Sequence, residues 1–412
     1  MAPATTPQLA PQTVTATKSP PAPTKPGRDI RLDVLRGLFL VLMTVNHIPN
    51  PWHDRVVQPV GFLSVAEGFV FMAAYLCGVI FTKRIAEKGY AFARRFASKR
   101  ALTIYGCHAV LLLIGFFAAW QIGPSPQPTA WIFDRVLHDP LGAIFTGLTL
   151  LYQPSFFDIL PMYILGVWAT PWVLRHTQEH GWWKLAAVSG LVWLAAQFGL
   201  KDVLQSALAA HLPVYMGAFD IFAWQALWLG GLFLGQQQWL ARERTGQALR
   251  VPRRWALVSL VAVVGFMALR HALPHLEPMW SHAIYPVMDK WHLAPGRVLN
   301  LAAMVVFVMS FSPPRLPALP PFRFLNVIGR QSLPVFTAHV PLAVIGVTWV
   351  HVYQPSMWSI TGYYLACLTL LWAVARFYEL RKNPVRKRPR TDVVSSVAST
   401  APDVPPHAVP PR

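Results

Sequence analysis

Between residues 29 and 380 the chain alternates long apolar runs with short polar, Pro-rich or basic breaks. Ten of those runs, near 33–49, 60–82, 98–120, 157–174, 184–200, 217–238, 255–272, 296–312, 324–350 and 357–380, predict helices. Each is long enough to cover most of the ~30 Å hydrocarbon layer of a bilayer. With no water to satisfy backbone groups in that layer, helices are the simplest way for such runs to cross it. The pattern therefore predicts an all-α, polytopic transmembrane bundle of about ten helices. Segment 131–150 fits least well: Asp134, Arg135, His138 and Asp139 precede a run of modest hydrophobicity, which predicts an interfacial or re-entrant piece.

Composition sharpens this picture. Of the 412 residues 54% are hydrophobic and 13% charged, against roughly 25% charged in a soluble chain. The flanks differ from the middle. Residues 1–28 are rich in Pro, Thr and Ala, and 381–412 are basic and then Pro- and Ser-rich, so both read as disordered tails around one domain, 29–380. The N-terminal stretch lacks the apolar core of a signal peptide.

The net charge of +19 raises the question of nucleic acid, but Lys and Arg fall in clusters between apolar runs and not along one soluble face. Lys83 to Arg100 follow the second run, Arg175 and Lys184 the fourth, Arg242 to Arg254 the sixth, Arg315 and Arg323 the eighth, and Arg381 to Arg390 the last. Cytoplasmic loops collect such residues. Ten crossings with both termini cytoplasmic satisfy every cluster. The opposite loops carry aromatics, Pro and His. Of these, His271, His275, His282 and His292 are spaced too irregularly for a metal site to be the first reading. Cys77, Cys107 and Cys367 lie in apolar runs without paired spacing and read as packing residues; Cys107 beside His108 has no evident activator in sequence.

Ionisable residues inside a span cost ~2.5 kcal/mol or more at the bilayer centre, so they face an interior and a partner. The first run holds three, Asp33, Arg36 and His47, and steps of three and eleven residues keep them near one helical face. Arg36 and His47 stand ~16 Å apart along the axis, too far to bond each other. Arg36 then falls in the cytoplasmic half and His47 near the far surface. An ordinary Asp33–Arg36 ion pair is an equal reading for Asp33. Glu67, two turns into the second run, falls at a depth near His47, and a Glu–His pair would orient the imidazole for general-base work. Asp158, Asp220 and Arg297 at helix ends, and Arg330 and His339 in the ninth run, complete the candidates; helix-end groups can also snorkel to water.

Several stretches carry a resemblance. Arg28-Asp-Ile-Arg-Leu-Asp-Val-Leu-Arg-Gly37, Asn46-His-Ile-Pro49 and Ser64-Val-Ala-Glu-Gly-Phe-Val-Phe71 resemble the opening of the OpgC family, and Phe157-Asp-Ile-Leu-Pro-Met-Tyr-Ile164 and Gly329-Arg-Gln-Ser-Leu-Pro-Val-Phe336 its internal motifs. The similarity spans roughly 29 to 380. OpgC proteins are similar to the wider transmembrane acyltransferase-3 group, in which an Arg followed eleven positions later by His marks the first helix, here Arg36 and His47. Met72-Ala-Ala-Tyr-Leu-Cys-Gly78 departs from the small Ser-Gly-like pair expected before the Tyr.

The resemblance implies a multi-pass protein of the bacterial inner membrane. It also implies an O-acyltransferase that moves an acyl group, succinyl foremost, from cytoplasmic acyl-CoA to a hydroxyl of a periplasmic glucan or related polysaccharide. His47 is the expected general base with Glu67 beside it; Arg36, Asp158, Tyr163 and Ser332 are the substrate-binding residues that the resemblance implies, and Asp33, Arg330 and His339 join them as ionisable residues inside the spans. Acyl-CoA is a co-substrate and no tightly bound cofactor is expected. A transporter or flippase for a glycan or lipid-linked intermediate is the rival, since it too would use intramembrane charge; the halves show no matching hydropathy, and the polar residues concentrate in the first two runs.

Overall fold

Long apolar runs with small residues at helical spacing pack as helices and little else, and helices are the only extended elements among the residues that the computed structural model describes: 29–50, 58, 60–123, 127–249, 251–311 and 319–382. The N-terminal tail, the chain from residue 383, most of the loop 51–59, and Arg250 and Arg315 lie outside these. In chain order the α-helices are α1 Ile30–His47, α2 Val65–Lys88, α3 Tyr90–Ile122, α4 Gln127–His138, α5 Pro140–Leu148, α6 Ile159–His180, α7 Trp183–Gln197, α8 Leu200–Ala209, α9 Ile221–Thr245, α10 Arg253–Ala272, α11 Pro278–Val287, α12 Pro295–Phe311, α13 Pro320–Arg330, α14 Ser332–Tyr353 and α15 Met357–Lys382. By length and apolar composition, α2, α3, α10 with its 3-10 extension, α14 and α15 can each cross a bilayer. The pair α7–α8, bent by 67°, makes a sixth candidate if taken as one broken span. This is a multi-pass membrane protein.

Three stretches divide more finely than the sequence expectation. The run 324–350 is two helices, because Gln331 leaves helical geometry (φ −113°, ψ 37°) and divides α13 from α14. Pro334 then falls in the first turn of α14, where its missing N–H costs nothing. Segment 131–150 forms α4 and α5, both short, with α4 kinked at Phe133 and α5 capped by Asp139, which accepts from Gly142 N at 3.0 Å. Beyond 184–200 the chain bends at Gly199 (φ +81°) and continues as α8.

Two close crossings organise the bundle. At the α2–α9 contact, Gly78 lies on the backbone of Leu232 and Gln236, Gly235 on Tyr75 and Gly231 on Phe71, so that any side chain at these positions meets main chain. At the α1–α13 contact Gly37 lies on Leu325 and Gly329 on the Asp33 carbonyl. Small residues let membrane helices approach closely and gain dispersion contact, which is what drives association where lipid already solvates apolar side chains. Helix α6 packs on α3 and α2, and α14 on α15 and α1. The break at Gln331 leaves α14 beside α1, which sets up the site.

Candidate functional site

The C-terminal end of α1 is where a polar group first meets space. The helix opens with Asp29, which accepts from Arg31 N at 3.0 Å as its cap, and buries Asp33, Val34, Gly37, Leu40, Met43 and Thr44 on one face. It ends at His47. Beyond it, Tyr364 of α15 donates to the Ile48 carbonyl at 2.7 Å and accepts from Asn50 Nδ2 at 2.8 Å, which pins the helix end. His47 lines a cavity of about 630 Å³ together with Asn46, Gln58, Phe62, Phe156, Asp158, Phe219, Arg270, Asp289, Lys290, Trp291 and Arg297. Phe156 holds the imidazole edge-on at 4.9 Å between ring centroids.

The imidazole is not isolated. His47 Nδ1 lies 2.9 Å from Nε2 of His339, a fully buried residue of α14, and His339 Nδ1 lies 3.2 Å from the Thr44 hydroxyl. Thr44 in turn donates to the Leu40 carbonyl at 2.9 Å. Counting protons assigns the tautomers. The hydroxyl has one proton and gives it to Leu40, so it accepts from His339 Nδ1–H; His339 Nε2 then carries a lone pair and accepts from His47 Nδ1–H. That leaves the lone pair of neutral His47 on Nε2. A histidine oriented through its other nitrogen is the arrangement general-base chemistry uses.

Glu67 takes a different place from the one expected. It is fully buried at the start of α2, with one carboxylate oxygen bound to Arg297 and the other accepting from the Ser64 amide at 3.0 Å and from the Ser64 hydroxyl. Both oxygens are committed, so the partner of His47 is His339 and not Glu67. The physical reason is the capping box: Ser64 at the N-cap and Glu67 three residues on satisfy each other's backbone amides. Arg297 continues the chain by donating to the Met288 carbonyl at 2.7 Å, and so ties the 288–297 connection to α2.

A second, smaller cavity of about 50 Å³ lies along the same helix toward its N-terminus, lined by Arg36, Arg100, Tyr163, Ser332 and apolar residues. Arg36 donates to the Ser332 hydroxyl, and Tyr163 donates to the Phe69 carbonyl at 2.9 Å. Ile159 and Phe336 line both cavities and stand between them. Helices α1 and α14 thus run side by side in the same direction, joined at one level by Arg36–Ser332 and at the other by His47–His339.

The remaining candidates divide. Asp158 lines the outer cavity and accepts from Ala218 N at 3.3 Å. Asp33 is buried at the α1–α13 crossing. Arg330 pairs with Glu379 at 3.0 Å and lines neither cavity. Asp220 is a cap, accepting from Phe222 N and Ala223 N. Sequence reasoning counted Arg100 only as a loop charge and did not join His339 to His47. One signal was available: Ser332 and His339 are seven residues apart, two turns along one face of α14, as Arg36 and His47 share a face of α1. Among the described residues no three His, Cys, Asp or Glu side chains converge as a metal shell would require.

No match was found among curated proteins or among solved structures. The family model described as OpgC protein matches residues 28–383, which contain both cavities and every helix named above. That match takes in Arg36 and His47 on α1, Glu67 on α2, Asp158 and Tyr163 around α6, and Ser332 and His339 on α14: the chain belongs to the OpgC family.

Proposed function

We propose that the protein is an O-acyltransferase that takes an acyl group, succinyl foremost, from acyl-CoA on the cytoplasmic side and passes it to a hydroxyl of a periplasmic glucan or related polysaccharide. The observation that carries this reading is the His47–His339–Thr44 chain on the wall of a 630 Å³ cavity, on the same helix that presents Arg36 to the inner cavity. In the reaction, His47 Nε2 takes the proton of the acceptor hydroxyl as that oxygen attacks the thioester carbonyl. The C–S bond then breaks, and the CoA thiolate leaves and is protonated from the imidazolium, giving an ester and free CoA. His339 accepts the Nδ1–H bond, which strengthens as His47 gains charge. Arg36 and Arg100 bind anionic parts of the donor, with Ser332 and Tyr163 beside them. Asp158 and other outer-cavity groups contact the acceptor, and Ile159 and Phe336 stand at the point the acyl group passes.

The orientation follows from charge and from helix direction. With ten crossings and both termini cytoplasmic in a bacterial inner membrane, α1 and α14 run outward, and α2, α6, α9 and α12 begin outside. Residues at or just before the start of each of those four helices line the large cavity, namely Ser64, Asp158, Phe219 and Arg297, beside the C-terminal residue of α1. All five ends belong to one side, which supports the acceptor facing the periplasm.

The test is reconstitution in nanodiscs with succinyl-CoA and a neutral β-glucan, reading free CoA and glycan mass together. Wild type should form glycan ester and CoA in equal amounts, and His47→Ala should fall by about 10²–10⁴-fold. Full transfer by a folded His47→Ala protein would sink the base assignment. No ester from wild type, with glucan crossing the membrane in vesicles, would establish the transporter instead.

A further inference from the structure

Among the cations that line the outer cavity, Lys290 has no part in the acyl-transfer steps. Lys290 lies in the connection between α11 and α12, half-buried, with Nζ 4.6 Å from the Trp291 ring centroid and 5.3 Å from that of Phe219. The backbone around it is held firmly: Arg297 binds the Met288 carbonyl, Asp289 accepts from His292 N at 2.9 Å, and the Trp291 carbonyl accepts from Trp224 Nε1 at 3.1 Å and Asp220 N at 3.0 Å. Among the described residues no carboxylate oxygen lies within 4.0 Å of the ammonium. The acids nearby are engaged elsewhere, Glu67 with Arg297 and Ser64, Asp289 with His292, and Asp158 with Ala218 N. Burial lowers the Lys290 pKa, with the Glu67 charge opposing and Arg297 adding to the fall. An ammonium in that position favours an incoming anion.

Resting on the acyl-transfer reading above, we infer that Lys290 is a specificity residue that binds the free carboxylate of a dicarboxylic acyl group while the acyl carbonyl lies at His47. His47 and Lys290 line the same cavity of about 630 Å³, which has room for a succinyl group spanning roughly 5 Å from carbonyl carbon to distal carboxylate. The rings of Trp291 and Phe219 hold the ammonium by cation–π contact, leaving it placed to bond a carboxylate. Arg270, on the same cavity, adds positive charge without a carboxylate partner within 4.0 Å among the described residues.

The experiment compares succinyl-CoA with butyryl-CoA, its uncharged four-carbon counterpart, on the same neutral glucan, so that only the acyl carboxylate varies. Wild type should prefer succinyl, and Lys290→Met should lower the succinyl-to-butyryl ratio of kcat/KM by about 100-fold, with Lys290→Arg retaining most of the preference. A wild type that shows no preference overturns the assignment, whether or not the variants fold. So does a parallel fall of both acyl groups in Lys290→Met, which would place Lys290 in packing or in contact with the glucan. Transfer of neither group by wild type would overturn the acyl-transfer reading, and this inference with it.

Discussion

Replacing His339 by alanine removes the acceptor for the Nδ1–H of His47, so the imidazole loses both its orientation and the bond that strengthens as it becomes charged. We expect kcat to fall about 100-fold with KM for acyl-CoA little changed, measured by CoA release. Thr44→Val tests the proton count separately. Without the hydroxyl, His339 is no longer held with its proton on Nδ1, and His47 is no longer held with its lone pair on Nε2. A drop of about 10-fold in kcat is the expected result, and an unchanged rate would contradict the tautomer assignment. At the inner cavity, Arg100→Gln should raise KM for acyl-CoA several-fold more than it lowers kcat, because a donor-binding charge acts before the chemical step. How much of this was legible in sequence differs by residue. Arg36 and His47 stood out because charge inside a span is costly and the eleven-residue spacing keeps one face. The bond to His339 joins residues 292 apart in the chain and depends on how α14 lies on α1, which periodicity does not report. Arg100 was hidden among six other basic residues whose presence the positive-inside rule already explains.

At the scale of helices, the breaks carry as much as the spans. One continuous helix over 324–350 would carry Ser332 and His339 along a single axis with 324–331; the break at Gln331 lets α13 cross α1 closely while α14 runs beside it. The α2–α9 crossing depends on Gly78, Gly231 and Gly235. Gly235→Leu should push α9 off the Tyr75 backbone and lower the thermal midpoint in detergent, with a cost of about 1–3 kcal/mol. Gly231 and Gly235 lie about one turn apart on one face of α9, and that spacing does not say which helix lies opposite. Glu67 makes a parallel case. Its depth near His47 suggested a catalytic pair, yet the Ser64-x-x-Glu67 spacing is also that of a capping box, and local geometry wins because both groups sit three residues apart on one helix start. Glu67→Gln leaves Arg297 buried without its carboxylate, and should destabilise the protein by about 3–5 kcal/mol in an unfolding assay; Glu67→Gln with Arg297→Met should recover part of that loss.

Across the whole molecule, direction is the unifying property. The two cavities stand one above the other along α1, and the starts of four helices surround the larger one. If both termini are cytoplasmic, as the basic clusters imply, then a single cysteine placed at exposed Glu277 or His282, in a background without Cys77, Cys107 and Cys367, should react with an impermeant maleimide added from the periplasmic side. Cysteines at exposed Lys88 or Arg244 should react only after the membrane is opened. Labelling of the first pair from the cytoplasm would reverse the orientation and place the large cavity on the wrong side for a periplasmic acceptor.

By itself the sequence determined that this is a helical membrane protein, where its basic loops lie, and that Arg36 and His47 face inward on one helix at different depths, because hydropathy, charge cost and the 100° step are local properties of the chain. Only the tertiary structure decided that His47 is oriented by His339 and Thr44, that Glu67 is held by Arg297 and Ser64, and that Arg36, Arg100 and Ser332 share an inner cavity. Those pairings depend on which helix lies against which, set by close glycine contacts and a break at Gln331, and no local pattern in the chain encodes the partner across such a contact.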